Sequence, residues 1–208
     1  MSAPLLEVHD LACVRGDRPL FAHVHFQMSA GEWLHLQGDN GAGKTSLLRI
    51  LCGLSVASAG QVRWAGVPIQ QSAESYRAEM LYLGHTLSLK DDLSAVENLQ
   101  FEAAVSGEPL DLPRALAGLD RLGLRGREHL PLRVLSQGQK RRAALARLLT
   151  SRARLWLLDE PFVALDPGAV TQLVDLLGQH VAQGGMVLYT SHQTVPMGGT
   201  GHHYRLSA

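Results

Sequence analysis

Cysteine is scarce in this 208-residue sequence, and the two that occur, Cys13 and Cys52, exclude two kinds of protein. Two cysteines are too few for the disulfide framework of a small secreted domain, and they lack the paired spacing of a zinc site. We therefore expect both to be reduced thiols, as in a cytosolic protein.

Long apolar runs are also missing. No run approaches the roughly 18 residues that a membrane-spanning helix needs. Residues 1–7 do not show a charged start followed by an apolar stretch, so we expect no signal peptide. Any role at a membrane is therefore predicted to depend on a partner.

Net charge is the third absence. Lys plus Arg and Asp plus Glu each number 19, so the formal net charge is zero. Proteins that bind nucleic acid or anionic membranes through charge are usually basic, which argues against both classes. The apolar fraction of 46% is enough for one substantial core, with room for a small subdomain.

One glycine-rich stretch organises the rest of the sequence. It consists of the consecutive residues Gly38, Asp39, Asn40, Gly41, Ala42, Gly43, Lys44 and Thr45. Glycine, four free positions and then Gly-Lys-Thr is the pattern of the phosphate-binding loop of nucleoside-triphosphate hydrolases. Glycines allow successive backbone N–H groups to point at one phosphate. Lys44 supplies a positive charge for the β- and γ-phosphates, and the Thr45 hydroxyl can bind Mg²⁺.

The residues around this loop agree with that interpretation. Residues 33–37 alternate as a strand does, and residues 46–52 have the pattern of a helix that ends at Gly53. A strand, a glycine loop and a helix, in that order, are the required context, and the helix N-terminus adds partial positive charge. The sequence therefore predicts a nucleotide-binding protein.

The N-terminal part of the chain has the character of antiparallel strands. Turn residues between alternating segments predict hairpins over 5–28 and over 60–69. Residues 80–83 are a candidate for a buried strand. The chain is thus predicted to open with an antiparallel β subdomain.

The middle of the chain changes to helical patterns. Residues 94–107 and 113–123 are predicted helices in this stretch, the first of them opened by a capping box of Ser94 and Glu97. Another helix is predicted later in the chain, over 170–181. The helical stretch is interpreted as an inserted subdomain rather than a linker. We expect a single domain, 1–208, with its core in 1–84 and 150–208 and its helical subdomain at approximately 85–149.

Two adjacent carboxylates follow a strongly apolar segment. Residues 154–158 suit a parallel strand buried on both faces, and Asp159 and Glu160 come directly after it. Ligands sit at the carboxyl ends of strands in open α/β sheets, so both acids are predicted to face the nucleotide. Asp159 is placed to hold Mg²⁺ through water, and Glu160 to orient or deprotonate the attacking water. A second buried strand, 186–191, places His192 at its own carboxyl end.

A polar motif opens another helix. Ser136, Gln137, Gly138 and Gln139 precede a helix predicted over 140–149. Ser136 is expected to be the N-cap and Gln139 to complete a capping box, and such a helix start is also an anion site. The basic run 140–142 is interpreted as the solvated face of this helix rather than as a nucleic-acid site.

This motif resembles the signature of ATP-binding-cassette (ABC) ATPases, and the order of motifs matches that family over the whole chain. The phosphate loop, helical insert, signature and acidic strand end are followed by Ala164-Leu165-Asp166 as the D-loop and His192 as the switch histidine. The resemblance implies an α/β fold of the P-loop NTPase (RecA-like) type, with an N-terminal antiparallel β subdomain and an inserted helical subdomain. It also implies an ATPase that uses ATP and Mg²⁺.

The resemblance further implies a homodimer that forms on ATP binding. Family members close head to tail around two ATP molecules, so Ser136 and Gly138 are expected to contact the γ-phosphate held by the partner subunit. His192 is expected to contact the γ-phosphate of its own subunit and to hold the catalytic geometry with Glu160. Lys44 is the third residue assigned to catalysis. Hydrolysis removes the phosphate that bridges the halves, and the dimer reopens.

Two positions depart from the family pattern. The aromatic residue that stacks on adenine is expected near Val14 or Arg15, and neither is aromatic. Arg15 is predicted to stack through its guanidinium plane instead. The Q-loop glutamine, which senses Mg²⁺ and the transmembrane partner, is replaced by His85. The other motifs are present, so we expect catalysis to be retained.

The residues of several motifs are similar to those of one group within the family, the ATPase subunits of cytochrome c maturation complexes. The similarity lies in residues 84–85, 136–142, 159–162 and 191–193, and we expect no regulatory domain after them. It implies separately encoded transmembrane subunits as partners and a peripheral position on the cytoplasmic side of the inner membrane. ATP hydrolysis would then be coupled to haem delivery or to release of a haem-loaded chaperone.

Other functions stay open as alternatives. The chain also fits the ATPase subunit of another ABC importer or exporter. A soluble ABC ATPase that acts on nucleic acid or ribosomes usually carries two cassettes, long insertions or basic extensions, which this sequence does not show. Glu160 and His192 argue against a regulator without turnover, and the lack of an Asn-Lys-x-Asp motif argues against a GTPase.

The ten histidines do not predict a haem site. His9, His23, His25 and His35 lie in strand-like alternation and are interpreted as ordinary surface or satisfied residues. The pair at 202–203 could bind a metal, but we expect it to belong to a frayed tail. We therefore predict neither direct haem binding nor nucleic-acid binding.

Overall fold

The computed structural model describes residues 5–207 and divides the chain into two compact units. The signal-peptide prediction concerns residues 1–7, of which 1–4 lie outside the described part. Within the described residues no helix is both long enough and apolar enough to cross a bilayer. The first unit comprises 5–82, 153–160 and 176–207, and the second 83–152 and 161–175.

Nine strands occur in the described residues. In chain order they are β1 Leu6–Arg15, β2 Arg18–Met28, β3 Glu32–Gln37, β4 Ala59–Trp64, β5 Val67–Pro68, β6 Met80–Leu83, β7 Leu155–Leu158, β8 Met186–Thr190 and β9 Thr200–Arg205. Seven α-helices accompany them. These are α1 Lys44–Leu51, α2 Ala73–Ala78, α3 Ala95–Val105, α4 Leu112–Arg121, α5 Gln137–Leu145, α6 Arg147–Thr150 and α7 Pro167–Ala182.

The antiparallel β subdomain predicted at the start of the chain is confirmed. β1 and β2 form a hairpin in which Leu6 lies opposite Met28 and Arg15 opposite Arg18, and the sheet order is β2-β1-β4-β5. One face of β1 is apolar and buried, with Leu6, Val8 and Leu11 at most 2% exposed. An antiparallel sheet can bury one face in this way and leave the other to water.

The second sheet has the order β6-β7-β8-β3-β9, and its pairs β7·β8, β8·β3 and β3·β9 are parallel. Every residue of β7 and β8 is buried, as expected for parallel strands covered on both faces. Parallel strands end at the same edge of a sheet. The residues that follow β3, β7 and β8 are therefore brought together, and these are the phosphate loop, Asp159 and the segment before His192.

The prediction of a frayed tail at 202–203 is wrong, because these two histidines lie inside β9. β9 pairs in parallel with β3, with His203 opposite His35 and Arg205 opposite Gln37. The sequence of β9 is polar and lacks the apolar alternation of a typical strand, so its pattern did not predict one. Its pairing comes from the unsatisfied backbone edge of β3, which needs hydrogen-bond partners.

The helices of the second unit begin at capping residues. The predicted capping box of Ser94 and Glu97 is present at the start of α3, and Asp111 caps α4. The helix predicted over 140–149 begins earlier, at Gln137, and is divided at Ala146. The N–H of Ala146 is shared between the carbonyls of residues 142 and 143, so the backbone tightens there.

The basic run 140–142 is not the solvated face that its charge suggested. Lys140 Nζ lies 2.6 Å from Asp91, and Arg142 pairs with Asp166. Arg141 is 6% exposed and donates its Nε to the carbonyl of Pro161. Partners distant in the sequence therefore hold all three cations, which local charge patterning cannot reveal.

Candidate functional site

The loop between β3 and α1 folds around its own lysine. Lys44, the first residue of α1, donates from Nζ to the carbonyl of Gly38 at 2.7 Å and to that of Asp39 at 3.2 Å. Gly43 has a φ of 98°, and a Cβ there would lie 2.9 Å from a ring carbon of Phe21. This position therefore needs glycine for its conformation and for space.

The remaining loop residues are open to solvent or half-buried. Asn40 and Gly41 are exposed, and Ala42 is half-buried, with its N–H bonded to the carbonyl of Asp39. Lys44 is only 9% exposed. Its hydrogen bonds to two carbonyls keep this buried ammonium satisfied.

Asp159 joins two threonine hydroxyls at the carboxyl edge of the parallel sheet. Thr45 Oγ1 donates to Asp159 Oδ2 at 2.8 Å, and Thr190 Oγ1 donates to Oδ1 at 2.8 Å. Asp159 is 2% exposed, so each carboxylate oxygen has a partner where water is scarce. Thr190 accepts in turn from the backbone N–H of Glu160 at 2.9 Å.

The pair Thr45 and Asp159 has the donor chemistry of a magnesium site. Mg²⁺ prefers oxygen ligands and usually keeps several waters, so it needs only one or two groups from the protein. The hydroxyl and the carboxylate lie within 2.8 Å of each other and fit this requirement. Among residues 5–207 there is no group of three or more His, Cys, Asp or Glu side chains arranged for a metal.

Glu160 and His192 meet beside this cluster. His192 Nε2 lies 3.4 Å from Glu160 Oε1, and the side chains are 58% and 15% exposed, respectively. Glu160 has a φ of 52°, in the left-handed region that costs a non-glycine residue free energy. The bond from its N–H to Thr190 of β8 helps to hold this conformation, and the backbone in turn sets the direction of the side chain.

The signature residues lie in the second unit, at the start of α5. Ser136 Oγ accepts from the N–H of Gln139, and Gln139 Oε1 accepts from the N–H of Ser136 at 2.9 Å, which completes the predicted capping box. Ser136 and Gln137 are exposed. Their exposure leaves the positive end of this helix open to an anion.

The D-loop residues pack on the signature helix within the same unit. Arg142 forms an ion pair with Asp166, and the N–H of Ala169 donates to the same carboxylate at 3.0 Å. These partners, the backbone N–H of Ala169 first, hold the pKa of Asp166 below its ordinary value. Ala164 has a φ of 63° and presents its carbonyl to Gly138.

The two positions that depart from the family pattern are both on the surface. Arg15 is the last residue of β1 and is exposed, with Val14 next to it 49% exposed. His85 is exposed in the segment that follows β6. Each side chain is free to reach a ligand or a partner.

Sequence reasoning missed Thr190 and the contacts of His35. Thr190 is 0% exposed. The sequence feature that could have identified it is its hydroxyl at the end of an otherwise apolar strand. His35 is buried in β3 and bonds to the carbonyl of Ser191 at 3.0 Å. The sequence pattern around His35 indicates an ordinary surface or satisfied residue and does not predict this contact.

Comparisons with known proteins agree with this arrangement. A family model described as ABC transporter matches residues 21–163. The cytochrome c biogenesis ATP-binding export protein CcmA of Nitrosomonas europaea is 48% identical over 98% of this chain and 96% of its own length. The protein of the same name from Pseudomonas aeruginosa is 48% identical over 93% of this chain and 95% of its own length.

Solved structures share the fold at lower identity. A putative ABC transporter ATP-binding protein from Pyrococcus furiosus superposes with a TM-score of 0.83 at 24% identity, over 97% of this chain and 96% of that chain. An ATP-binding cassette solved as a dimer in a post-hydrolysis state with ADP and Pi gives 0.80 at 21% identity, over 91% and 88% of the two chains. The P-loop NTPase fold predicted from the motifs is confirmed. The chain belongs to the ABC transporter family, as an ATP-hydrolysing subunit that resembles the CcmA proteins.

Proposed function

We propose that this chain couples ATP hydrolysis to a membrane complex for c-type cytochrome biogenesis. The relatives that match nearly its full length carry cytochrome c biogenesis and export in their names. The main support for ATP hydrolysis is the cluster of Thr45, Asp159, Glu160 and His192, which are joined by contacts of 2.8 to 3.4 Å. This cluster holds the groups that ATP hydrolysis needs at one edge of one sheet.

The phosphate loop binds the nucleotide in this proposal. Backbone N–H groups of 38–45 and the Lys44 ammonium take the place of water around the β- and γ-phosphates. Lys44 then exchanges its carbonyl partners for phosphate oxygens, which are stronger acceptors. Thr45 and Asp159 hold Mg²⁺, which when bound neutralises charge on the β- and γ-phosphates.

Glu160 and His192 act on the attacking water and on the γ-phosphate. The Glu160 carboxylate orients the water and accepts its proton as the oxygen bonds to phosphorus, and the bond from phosphorus to the leaving ADP oxygen breaks. His192 holds Glu160 through their contact and donates a hydrogen bond to the γ-phosphate. The products are ADP and inorganic phosphate.

The signature residues act on a second subunit in this proposal. Ser136, Gln137, Gly138 and Gln139 present the exposed start of α5 to the γ-phosphate of ATP held by another copy, with Asp166 of the D-loop beside them. A related cassette has been solved as a dimer with ADP and Pi, which supports a homodimer. ATP thus closes the dimer and hydrolysis reopens it.

The partners are separately encoded transmembrane subunits of the cytochrome c maturation complex. The chain attaches to them peripherally on the cytoplasmic side of the inner membrane, and His85 at the Q-loop position faces them. Hydrolysis drives haem delivery or release of a haem-loaded chaperone, and the chain itself binds neither haem nor nucleic acid. Arg15 stacks on adenine.

The experiment is ATP turnover by Glu160→Gln, measured alone and with the candidate membrane subunits. Loss of the carboxylate removes the proton acceptor but keeps the shape of the side chain. The variant should bind ATP, fail to turn it over and accumulate as a closed dimer on a sizing column. Glu74→Gln, an exposed glutamate of α2, is the matched control and should behave as the wild type.

The wild type should also co-purify with haem-maturation membrane subunits. Turnover with membrane subunits of a different transporter, and none with these, would move the assignment to another ABC importer or exporter. ATP binding without turnover, even with partners present, would instead favour a nucleotide-binding regulator.

A further inference from the structure

We propose that His35 is a positioning residue that holds the switch histidine in place through the backbone of Ser191. The inference rests on the proposed role of His192 and adds a group that touches neither substrate nor reacting atoms. It comes from a row of side chains on one face of the parallel sheet. The row contains His35 and Gln37 of β3, Tyr189 of β8 and His203 of β9.

The hydrogen bonds of His35 define its tautomer. His35 Nε2 lies 3.0 Å from the Ser191 carbonyl oxygen, which can only accept, so Nε2 carries a hydrogen. His35 Nδ1 lies 3.3 Å from Gln37 Nε2, and the same amide nitrogen lies 3.3 Å from His203 Nδ1. An amide nitrogen has two hydrogens, one for each ring, so both Nδ1 atoms accept.

The surroundings of His35 favour this neutral form. His35 is 2% exposed, and its ring stacks on Tyr189 with centroids 4.6 Å apart. Burial lowers the pKa of His35, because the charged ring would lose its hydration. A neutral ring with a defined donor atom is therefore the stable state between these strands.

Ser191 is the residue immediately before His192, and both of its polar ends are held. Its carbonyl accepts from His35, and its Oγ accepts from the N–H of Gln193 at 2.8 Å. The peptide that carries His192 is thus fixed on either side of the switch residue. The His192 side chain itself is exposed, with Nε2 3.4 Å from Glu160 Oε1, so its direction depends on this backbone.

The other end of the row reaches the phosphate loop. Gln37 directly precedes Gly38, and its carbonyl accepts from the N–H of Leu206 at 2.8 Å. The amide side chain of Gln37 thus links the strand that enters the loop with the imidazole that holds the switch segment. Loss of the His35 donor should release the Ser191 peptide while the loop, held by its own contacts, still binds ATP.

The test compares His35→Phe, His35→Gln and His203→Phe in the full chain. Phenylalanine keeps the ring on Tyr189 but has no donor, whereas a glutamine amide reaches the Nε2 position and can donate to Ser191. His203→Phe is the matched control, because it loses the same contact with Gln37 but does not touch Ser191. Melting temperatures with and without ATP show that each variant folds.

His35→Phe should lower kcat by roughly 10- to 100-fold, as expected when a catalytic side chain is displaced by about an ångström. The dissociation constant for ATP should change less than about twofold. His35→Gln should recover most of the turnover, and His203→Phe should keep it. Equal losses in His35→Phe and His203→Phe, or no rescue by glutamine, would overturn the proposal.

A double-mutant cycle separates this proposal from the role of His192. If His35 acts through the switch histidine, His35→Phe should have no further effect on kcat in a His192→Ala background. A further loss there would refute the positioning role while leaving the role of His192 intact. Full turnover by His192→Ala alone would instead refute the assignment of His192 under the proposed function.

Nitrogen-15 NMR of the wild-type imidazoles gives a test that needs no variant to fold. Spectra at neutral pH should show His35 as a neutral ring with its hydrogen on Nε2. A hydrogen on Nδ1, or a charged ring, would contradict the hydrogen-bond assignment and the proposal with it.

Discussion

The carbonyl oxygen of Ala164 occupies the place that a side chain at Gly138 would need. A Cβ on Gly138 would lie 2.8 Å from that oxygen, closer than carbon and oxygen normally approach. The neighbouring atom belongs to the backbone, so it cannot turn away as a side chain would. The signature glycine therefore allows α5 and the D-loop to pack directly against each other.

Gly138→Ala should accordingly damage turnover without unfolding the protein. The extra methyl must push the D-loop or the signature helix aside, at a cost of about 1–3 kcal/mol in unfolding free energy. We expect ATP binding to persist and kcat to fall at least about tenfold, since the proposed contact of the signature with the γ-phosphate would be displaced. Steady-state ATPase assays and urea unfolding measure both effects.

Gly178→Ala is the control for that substitution. Gly178 lies inside α7, and a Cβ there meets nothing within 4 Å. Alanine in a helix interior should raise the unfolding free energy by about 0.5–1 kcal/mol and leave turnover unchanged. If Gly138→Ala behaved in the same way, close packing would not be the reason for glycine at that position.

Thr190→Val should uncouple the end of β8 from the acidic pair. Valine keeps the shape of threonine but removes its bond to Asp159 and the acceptor for the N–H of Glu160. A buried N–H left without a partner costs about 1–3 kcal/mol of stability. We expect that loss in denaturant unfolding, together with lower turnover because Glu160 is no longer held.

Thr171→Val provides the comparison, because its hydroxyl bonds only locally, to the carbonyl of Pro167 on the exposed side of α7. Its unfolding free energy should stay within about 0.5 kcal/mol of the wild type. Equal destabilisation by the two valine substitutions would mean that the buried hydrogen bonds at Asp159 contribute no more to the unfolding free energy than an exposed local bond does.

The D-loop aspartate should contribute a pH-dependent part of the stability. The N–H of Ala169, and after it Arg142, hold the pKa of Asp166 below its ordinary value of 3.8. The folded state therefore favours the carboxylate. This contribution is present above pH 3.8 and is lost as the pH falls through the lower folded-state pKa.

Asp166→Asn removes that contribution at every pH. The unfolding free energy of the wild type should therefore exceed that of the variant near pH 6, and this difference should shrink on acidification. Urea unfolding between about pH 6 and pH 3 measures it. Asp120→Asn, an exposed position of α4, controls for the loss of one negative charge. A wild-type minus Asp166→Asn difference that stayed constant with pH would contradict the predicted coupling.

Arg15→Tyr should tighten nucleotide binding if this exposed end of β1 faces adenine. An aromatic ring stacks on a base by about 1–3 kcal/mol, so we expect a lower dissociation constant for ATP. Arg15→Ala should weaken binding, and Arg18→Ala, an exposed arginine at the start of β2, should not. Binding is measured with a fluorescent ATP analogue, and unchanged affinity in both Arg15 variants would remove Arg15 from the adenine site.

The motifs that local sequence can encode were predicted correctly in place and in type. The loop at 38–45, the capping boxes at Ser94 and Ser136, and the apolar strands before Asp159 and His192 all depend on residues that are close in the chain. Spacing, periodicity and capping chemistry act over a few residues. For that reason the sequence alone determined the phosphate-binding loop, the capped helices and the order of the motifs, and that order indicated the fold class through its resemblance to ABC ATPases.

The tertiary structure alone decided which distant residues meet. β9 forms because the edge of β3 needs hydrogen-bond partners, and Arg142 pairs with Asp166, which lies 24 residues further along the chain. Thr190 reaches Asp159, and His35 reaches Ser191, only because their strands are neighbours in one sheet. Strand order is set by packing of the entire sheet, which no local pattern records.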